Sequence, residues 1–97
     1  MAQRDLFVVY DIAEPERLRK VYKIMLGAGQ HVQKSVFRCA LTARSRQELL
    51  MALERVIDTR EDQVLLIDLG PWDGTHAERV QFLGLPYAPE TRRARIL

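Results

Sequence analysis

The sequence predicts an α+β domain on the ferredoxin-like plan, with elements in the order βαββαβ and an extra strand toward the C-terminus. Three observations carry that expectation. Residues 6–12 read LFVVYDI, in which five apolar or aromatic residues run into one carboxylate, too short a run for a helix and rich in strand formers. Two later segments, beginning at Leu18 and Leu49, repeat apolar residues with the 3.6-residue period of an amphipathic helix. Between and after them, residues 31–41 and 64–69 carry the alternating or short continuous apolar patterns of strands.

Taken in order, the first strand is followed by Pro15, which the first turn of a helix tolerates, with Glu14 and Glu16 placing negative charge at the positive end of the helix dipole. Leu18, Val21, Tyr22, Met25 and Leu26 share one stripe of that helix, and Gly27 and Gly29 mark its stop. Val32, Val36, Phe37, Cys39 and Leu41 then alternate loosely with polar residues, as in two short strands or one strand bent near Ser35. Ser45 and Glu48 have the S-x-x-E spacing of a capping box. Leu49, Leu53, Val56 and Ile57 continue a second helix to about Asp58, and TREDQ makes the turn into a buried strand at residues 64–69, closed by Gly70 and Pro71. All 97 residues fit one domain, to which residues 71–97 form a C-terminal extension. The extension holds a short edge strand at residues 80–83 and a basic tail, ETRRARIL, and Trp72 is expected to anchor the crossover rather than a ligand.

A chain of this length buries a modest core, so pairing with a second copy would add buried surface. The formal charge is only +2, but cations cluster in residues 17–23 and 92–95, which points to a polyanionic partner. Cys39 is the only cysteine, which excludes an internal disulfide and a thiolate zinc site. Apolar runs stop far short of the roughly 20 residues that span a bilayer, and the start MAQRDLF lacks the apolar core of a signal peptide. The expectation is a cytoplasmic protein with no membrane partner. No G-x-x-x-x-G-K, G-x-G-x-x-G or H-E-x-x-H is present, which removes the common nucleotide-loop and zinc-protease readings.

Asp11 is the first candidate for chemistry. Magnesium takes one or two carboxylates and completes its shell with water and phosphate oxygens, so one aspartate at a strand end is enough for half a site. A two-fold axis near the strand ends would bring a second Asp11 to face it. The commoner role for such an aspartate is to cap the strand-to-helix turn by accepting amides from the region of Ala13 or Glu14. Arg17, Arg19, Lys20 and Lys23 suit phosphate binding, or else form a solvated helix face supported by a Glu16–Lys20 pair. Lys34, Ser35, Phe37 and Arg38 form a second cluster, in which Phe37 either stacks on a base or belongs to the core. His31 and His76 read as surface histidines, without the sequence partners of a general acid or base.

VVYDI in the first strand, the R-x-R of Arg17 and Arg19, the Gly29 turn and the segment HVQKSVFRC together resemble one family: the small CRISPR-associated endonucleases, the non-integrase subunit of the spacer-acquisition complex. The resemblance spans roughly residues 6–70, with Phe82, Leu83 and Gly84 matching a late strand. It implies a homodimer in which Asp11 binds magnesium, or manganese in its place, near the symmetric interface with Tyr10 beside it. It further implies that Arg17, Arg19, Ser35 and Phe37 serve nuclease activity or nucleic-acid contact. Members of the family act as metal-dependent nucleases on single-stranded RNA or double-stranded DNA, or as scaffolds that hold duplex DNA between CRISPR integrase subunits. Their late strand completes the partner's sheet. Lys34 and Arg38 depart from the family pattern and add positive charge, which opposes a metal if it lies beside it. Glu14 is the nearest candidate for a second metal ligand.

Overall fold

The computed structural model describes residues 2–73 and 79–84; His76 and the basic tail lie outside the described residues. The element order is β1 (Arg4–Asp11), α1 (Pro15–Leu26), β2 (Gln30–Gln33), β3 (Val36–Leu41), α2 (Ala43–Glu54) and β4 (Gln63–Pro71). The strands form one antiparallel sheet in the order β2-β3-β1-β4. β3 is thus inserted between β1 and β2, the two strands that α1 joins, which is the split βαβ arrangement expected from the sequence.

β1 alternates from Leu6 onward. Leu6, Val8 and Tyr10 are buried against the helices. Successive strand residues point to opposite faces, so Asp5, Phe7, Val9 and Asp11 project to the helix-free face. On the helix side, Val21, Tyr22 and Met25 of α1 and Leu49 and Leu53 of α2 close over Phe37, Cys39 and Leu41 of β3. On the helix-free side the register lays Val36, Val9 and Leu65 in one row and Arg38, Phe7 and Ile67 in the next. Leu65 and Ile67 remain 49% and 41% exposed, so the expected buried strand at residues 64–69 is in fact a half-covered edge strand.

Local chemistry moved several boundaries. α1 begins as expected, but its N-cap is Glu14, whose carboxylate accepts the amides of Glu16 and Arg17. Gly27 ends α1 in a right-handed conformation that any residue can adopt. Gly29 is needed for a different reason: a Cβ there would sit 2.5 Å from both the Arg38 carbonyl oxygen and Cys39 Sγ. The capping box of α2 is Thr42 with Ser45, not Ser45 with Glu48. Thr42 Oγ1 accepts the Ser45 amide at 3.1 Å, and Ser45 Oγ accepts the Thr42 amide at 2.8 Å. Glu48 instead pairs with Arg44 across the exposed face. α2 ends at Glu54, short of Asp58, although the amides of Val56 and Ile57 turn back to the Leu53 carbonyl and both side chains still pack on the core.

Residues 80–83 form no strand within this chain, contrary to the expected extra C-terminal strand; Phe82 is 41% exposed and Leu83 fully so. The chain leaving β4 is held by the Trp72 amide, which donates to the Gln3 carbonyl oxygen at 2.9 Å. Arg79 adds a second tie, donating to the Leu69 carbonyl oxygen at 2.9 Å.

Candidate nucleic-acid and metal site

Asp11 ends β1 opposite Gln63 of β4, exposed at the rim of the helix-free face. It does not cap the turn that follows. The Ala13 amide donates to Asp62 Oδ1 at 2.9 Å, and the helix cap, which takes the amides of Glu16 and Arg17, is Glu14. Among the described residues the Asp11 carboxylate accepts no hydrogen bond and forms no ion pair. An exposed carboxylate without a protein partner suits a hard divalent cation that draws its other ligands from water and phosphate. Glu14, the expected second ligand, has each of its oxygens engaged by one backbone amide. No group of three or more His, Cys, Asp or Glu that could hold a metal occurs among the described residues.

Arg17 commits two of its guanidinium donors within the chain. Its Nε and Nη2 donate to Asp62 at 2.7 and 3.2 Å. Asp62, with a fully buried side chain, also accepts the amides of Ala13 and Asp58. Four donors on one carboxylate, led by the Arg17 guanidinium, hold its pKa well below the usual range. This carboxylate, which the sequence reading passed over within TREDQ, ties the loop after Asp11 to the start of α1 and β4. No sequence signal distinguishes it from its neighbour Glu61.

Arg19 stays on the solvent side, 54% exposed, and pairs with Glu16, taking the place expected for Lys20. Lys20, Lys23 and Lys34 are exposed and form no ion pair among the described residues. Arg19, Tyr10 and Ser35 are brought together in one cleft between α1 and the β2–β3 turn. The Tyr10 amide donates to the Ser35 carbonyl oxygen at 3.1 Å, which fixes that turn against the end of β1. Lys34, at the turn's apex, takes a left-handed φ of 36°. Burial, with the Tyr22 hydroxyl nearby, pushes the Tyr10 phenol up to about 12, so it stays protonated at neutral pH and cannot act as a general base.

Phe37 is fully buried, stacked on Tyr10 at 6.2 Å and edge-on to Tyr22 at 5.8 Å; no base can reach it. His31 is also buried, contrary to the surface position expected. Its ring lies 5.0 Å from that of Phe37, and its Nε2 is 2.8 Å from the Lys34 carbonyl oxygen. Arg38 is 9% exposed and clamped to the buried Asp5, with its guanidinium 5.5 Å from the Phe7 ring centroid. It lies opposite Phe7, four residues along β1 from Asp11, or about 13 Å at the usual strand rise. Its charge is paired with Asp5, which Arg79 also approaches at 3.8 Å.

Three comparisons bear on this arrangement. The family model described as CRISPR associated protein Cas2 matches residues 5–76, which include every site residue named above. The chain belongs to the Cas2 family. Its sequence is 42% identical over 96 residues to a protein of Rhodospirillum rubrum named CRISPR-associated endoribonuclease Cas2 1, covering 99% of this chain and 93% of the relative. A Thermus thermophilus relative named CRISPR-associated endonuclease Cas2 2 is 30% identical over the full length of both. Among solved structures, Cas2 of Streptococcus pyogenes superimposes with a TM-score of 0.73 and 32% identity, covering 82% of this chain and 99% of that one. As in those Cas2 structures, two helices cover one face of a four-stranded sheet. No helix among the described residues of this Cas2 chain is long and apolar enough to cross a membrane.

Proposed function

We propose that this Cas2 chain acts in CRISPR spacer acquisition as a homodimer that hydrolyses phosphodiesters of single-stranded RNA or double-stranded DNA, using Asp11 from each copy to hold magnesium or manganese. One observation carries the reading: Asp11 stands exposed and without a protein partner at the rim of the helix-free sheet face. Below it, Phe7, Val9, Val36, Leu65 and Ile67 form an apolar band that a second copy would cover, bringing two Asp11 carboxylates toward one another. The names of the relatives, endoribonuclease and endonuclease, support phosphodiester chemistry of this class.

In that dimer Asp11 of each copy would hold the cation, which supplies Lewis-acid activation of water and screens phosphate charge. The chain's own residues do the rest. Asp62 fixes the loop that follows Asp11 through the Ala13 amide, so the carboxylate is held on rigid backbone. Arg19, Lys20 and Lys23 on α1 supply the positive face along which a phosphate backbone would lie. Tyr10, buried beside Asp11 in sequence but on the opposite sheet face, anchors the strand end.

A second reading is favoured by the one carboxylate, Asp11, that β1 brings to this rim and by the basic helix face. In it the dimer is a non-catalytic adaptor that holds duplex DNA for the CRISPR integrase in the cytoplasm. The two separate on one comparison in cells: Asp11→Ala abolishes the cellular role only in the catalytic reading. In the adaptor reading Asp11→Ala leaves spacer acquisition intact, whereas reversing the charge of Arg19 and Lys23 weakens it.

A further inference from the structure

The cleft between α1 and the β2–β3 turn has features that phosphate-backbone binding and metal chemistry do not use. Its volume is about 410 Å³, within the usual range of small-ligand sites. Its walls are apolar and aromatic, from Tyr10, Pro15, Leu18 and Tyr22. Leu18 was expected on the buried stripe of α1 but is 39% exposed, an apolar side chain presented to the cleft on an otherwise charged stretch of helix. The rim is polar and cationic, from Arg19, Lys34 and Ser35. Tyr22, 4% exposed, adds an aromatic wall, with its hydroxyl buried beneath the surface.

We propose that this cleft receives one unpaired nucleobase of a single-stranded nucleic acid, with its flanking phosphates on Arg19 and Lys34. A base is a flat ring with an apolar face and a polar edge, which matches apolar walls combined with the polar Ser35 at the rim. The phosphates on either side match the cationic rim. A paired base cannot enter, because its faces are stacked and its edge is occupied within the duplex. The cleft lies on the helix side of the sheet while Asp11 lies at the rim of the other side, so one strand passing the end of β1 would engage both. The inference rests on the nucleic-acid reading above and adds a preference for unpaired segments.

The test is fluorescence anisotropy on the full chain at fixed salt, with single-stranded DNA and RNA of equal length and with matching strands whose bases are replaced by abasic residues. Base-bearing strands are expected to bind about tenfold more tightly than abasic ones, in the RNA series, the DNA series or both, which names the source of the base. Leu18→Trp, which fills the cleft, is expected to bring that ratio toward one. Equal affinity for base-bearing and abasic strands in both series overturns the proposal while leaving backbone binding in place. Failure of the wild-type chain to bind any strand overturns the nucleic-acid reading as well. The comparison between strands requires no substitution, so it stands even if Leu18→Trp fails to fold.

Discussion

Arg17 grips Asp62 with two nitrogens, Nε at 2.7 Å from Oδ2 and Nη2 at 3.2 Å from Oδ1, across 45 residues of sequence. The pair joins the first turn of α1 to the residue that enters β4, and the same carboxylate holds the Ala13 amide behind Asp11. The family's first R-x-R arginine is therefore part of the frame in this chain, and the second, Arg19, faces solvent.

These two arginines should behave differently when removed. Arg17→Ala strands a buried carboxylate and is expected to lower the melting temperature by several degrees. Arg19→Ala sits on an exposed helix face and is expected to leave the melting temperature nearly unchanged. Its effect should appear in nucleic-acid binding, as a drop of about one in the slope of log affinity against log salt. Thermal melts and a salt titration on both variants check the contrast.

Acid should unfold the protein through its paired carboxylates. Asp62 is held well below the usual range by Arg17, and Glu14, Asp58 and Asp68 are lowered as well. Backbone amides of Arg17 and Glu16 lead for Glu14, and the side chains of Arg60 and Arg4 lead for Asp58 and Asp68. Each binds its proton less tightly folded than unfolded, so the unfolded state takes up more protons as pH falls. Stability is then fully present above the ordinary carboxylate range near pH 4 and is lost as pH drops through and below it. Urea melts at pH 7, 5 and 3 should show a falling midpoint. Asp62→Asn, though less stable at pH 7, should lose less between pH 5 and pH 3 than the wild type.

Phe37 separates a core role from a base-stacking one. Phe37→Ala is expected to cost about 3–5 kcal/mol, as truncation of a buried aromatic does. Phe37→Leu keeps most of the apolar volume and should retain both the fold and nucleic-acid affinity. A base-stacking role would instead make Phe37→Leu bind poorly while melting normally.

What the sequence revealed followed from how local each signal was. The stripe Val21, Tyr22 and Met25 and the alternation through Leu6, Val8 and Tyr10 are written in neighbouring residues, and both elements formed where the pattern placed them. Capping was only partly legible, because Thr42 with Ser45 performs the same exchange of amides as the more familiar Ser45 with Glu48 spacing. The pairs that decide which charges are free were not legible. Arg38 meets Asp5 across 33 residues and Arg17 meets Asp62 across 45, and no periodicity announces either. His31 reads as a turn residue until the Lys34 carbonyl oxygen and the Phe37 ring enclose it. Asp11 emerged more clearly for the same reason: the cap that would have explained it is supplied by Glu14 and Asp62.

In the proposed function, Asp11 is free in one chain so that two copies can hold a metal between them. Asp11→Ala removes an exposed side chain without a partner and should change stability by no more than about 0.5 kcal/mol. The most direct measurement is cleavage of labelled single-stranded RNA and duplex DNA by purified wild-type and Asp11→Ala protein, with magnesium and with EDTA. Cutting by the wild type in magnesium alone, with background levels in EDTA and in the folded variant, is the expected result. Cutting of equal rate by Asp11→Ala, or by the wild type in EDTA, would contradict it.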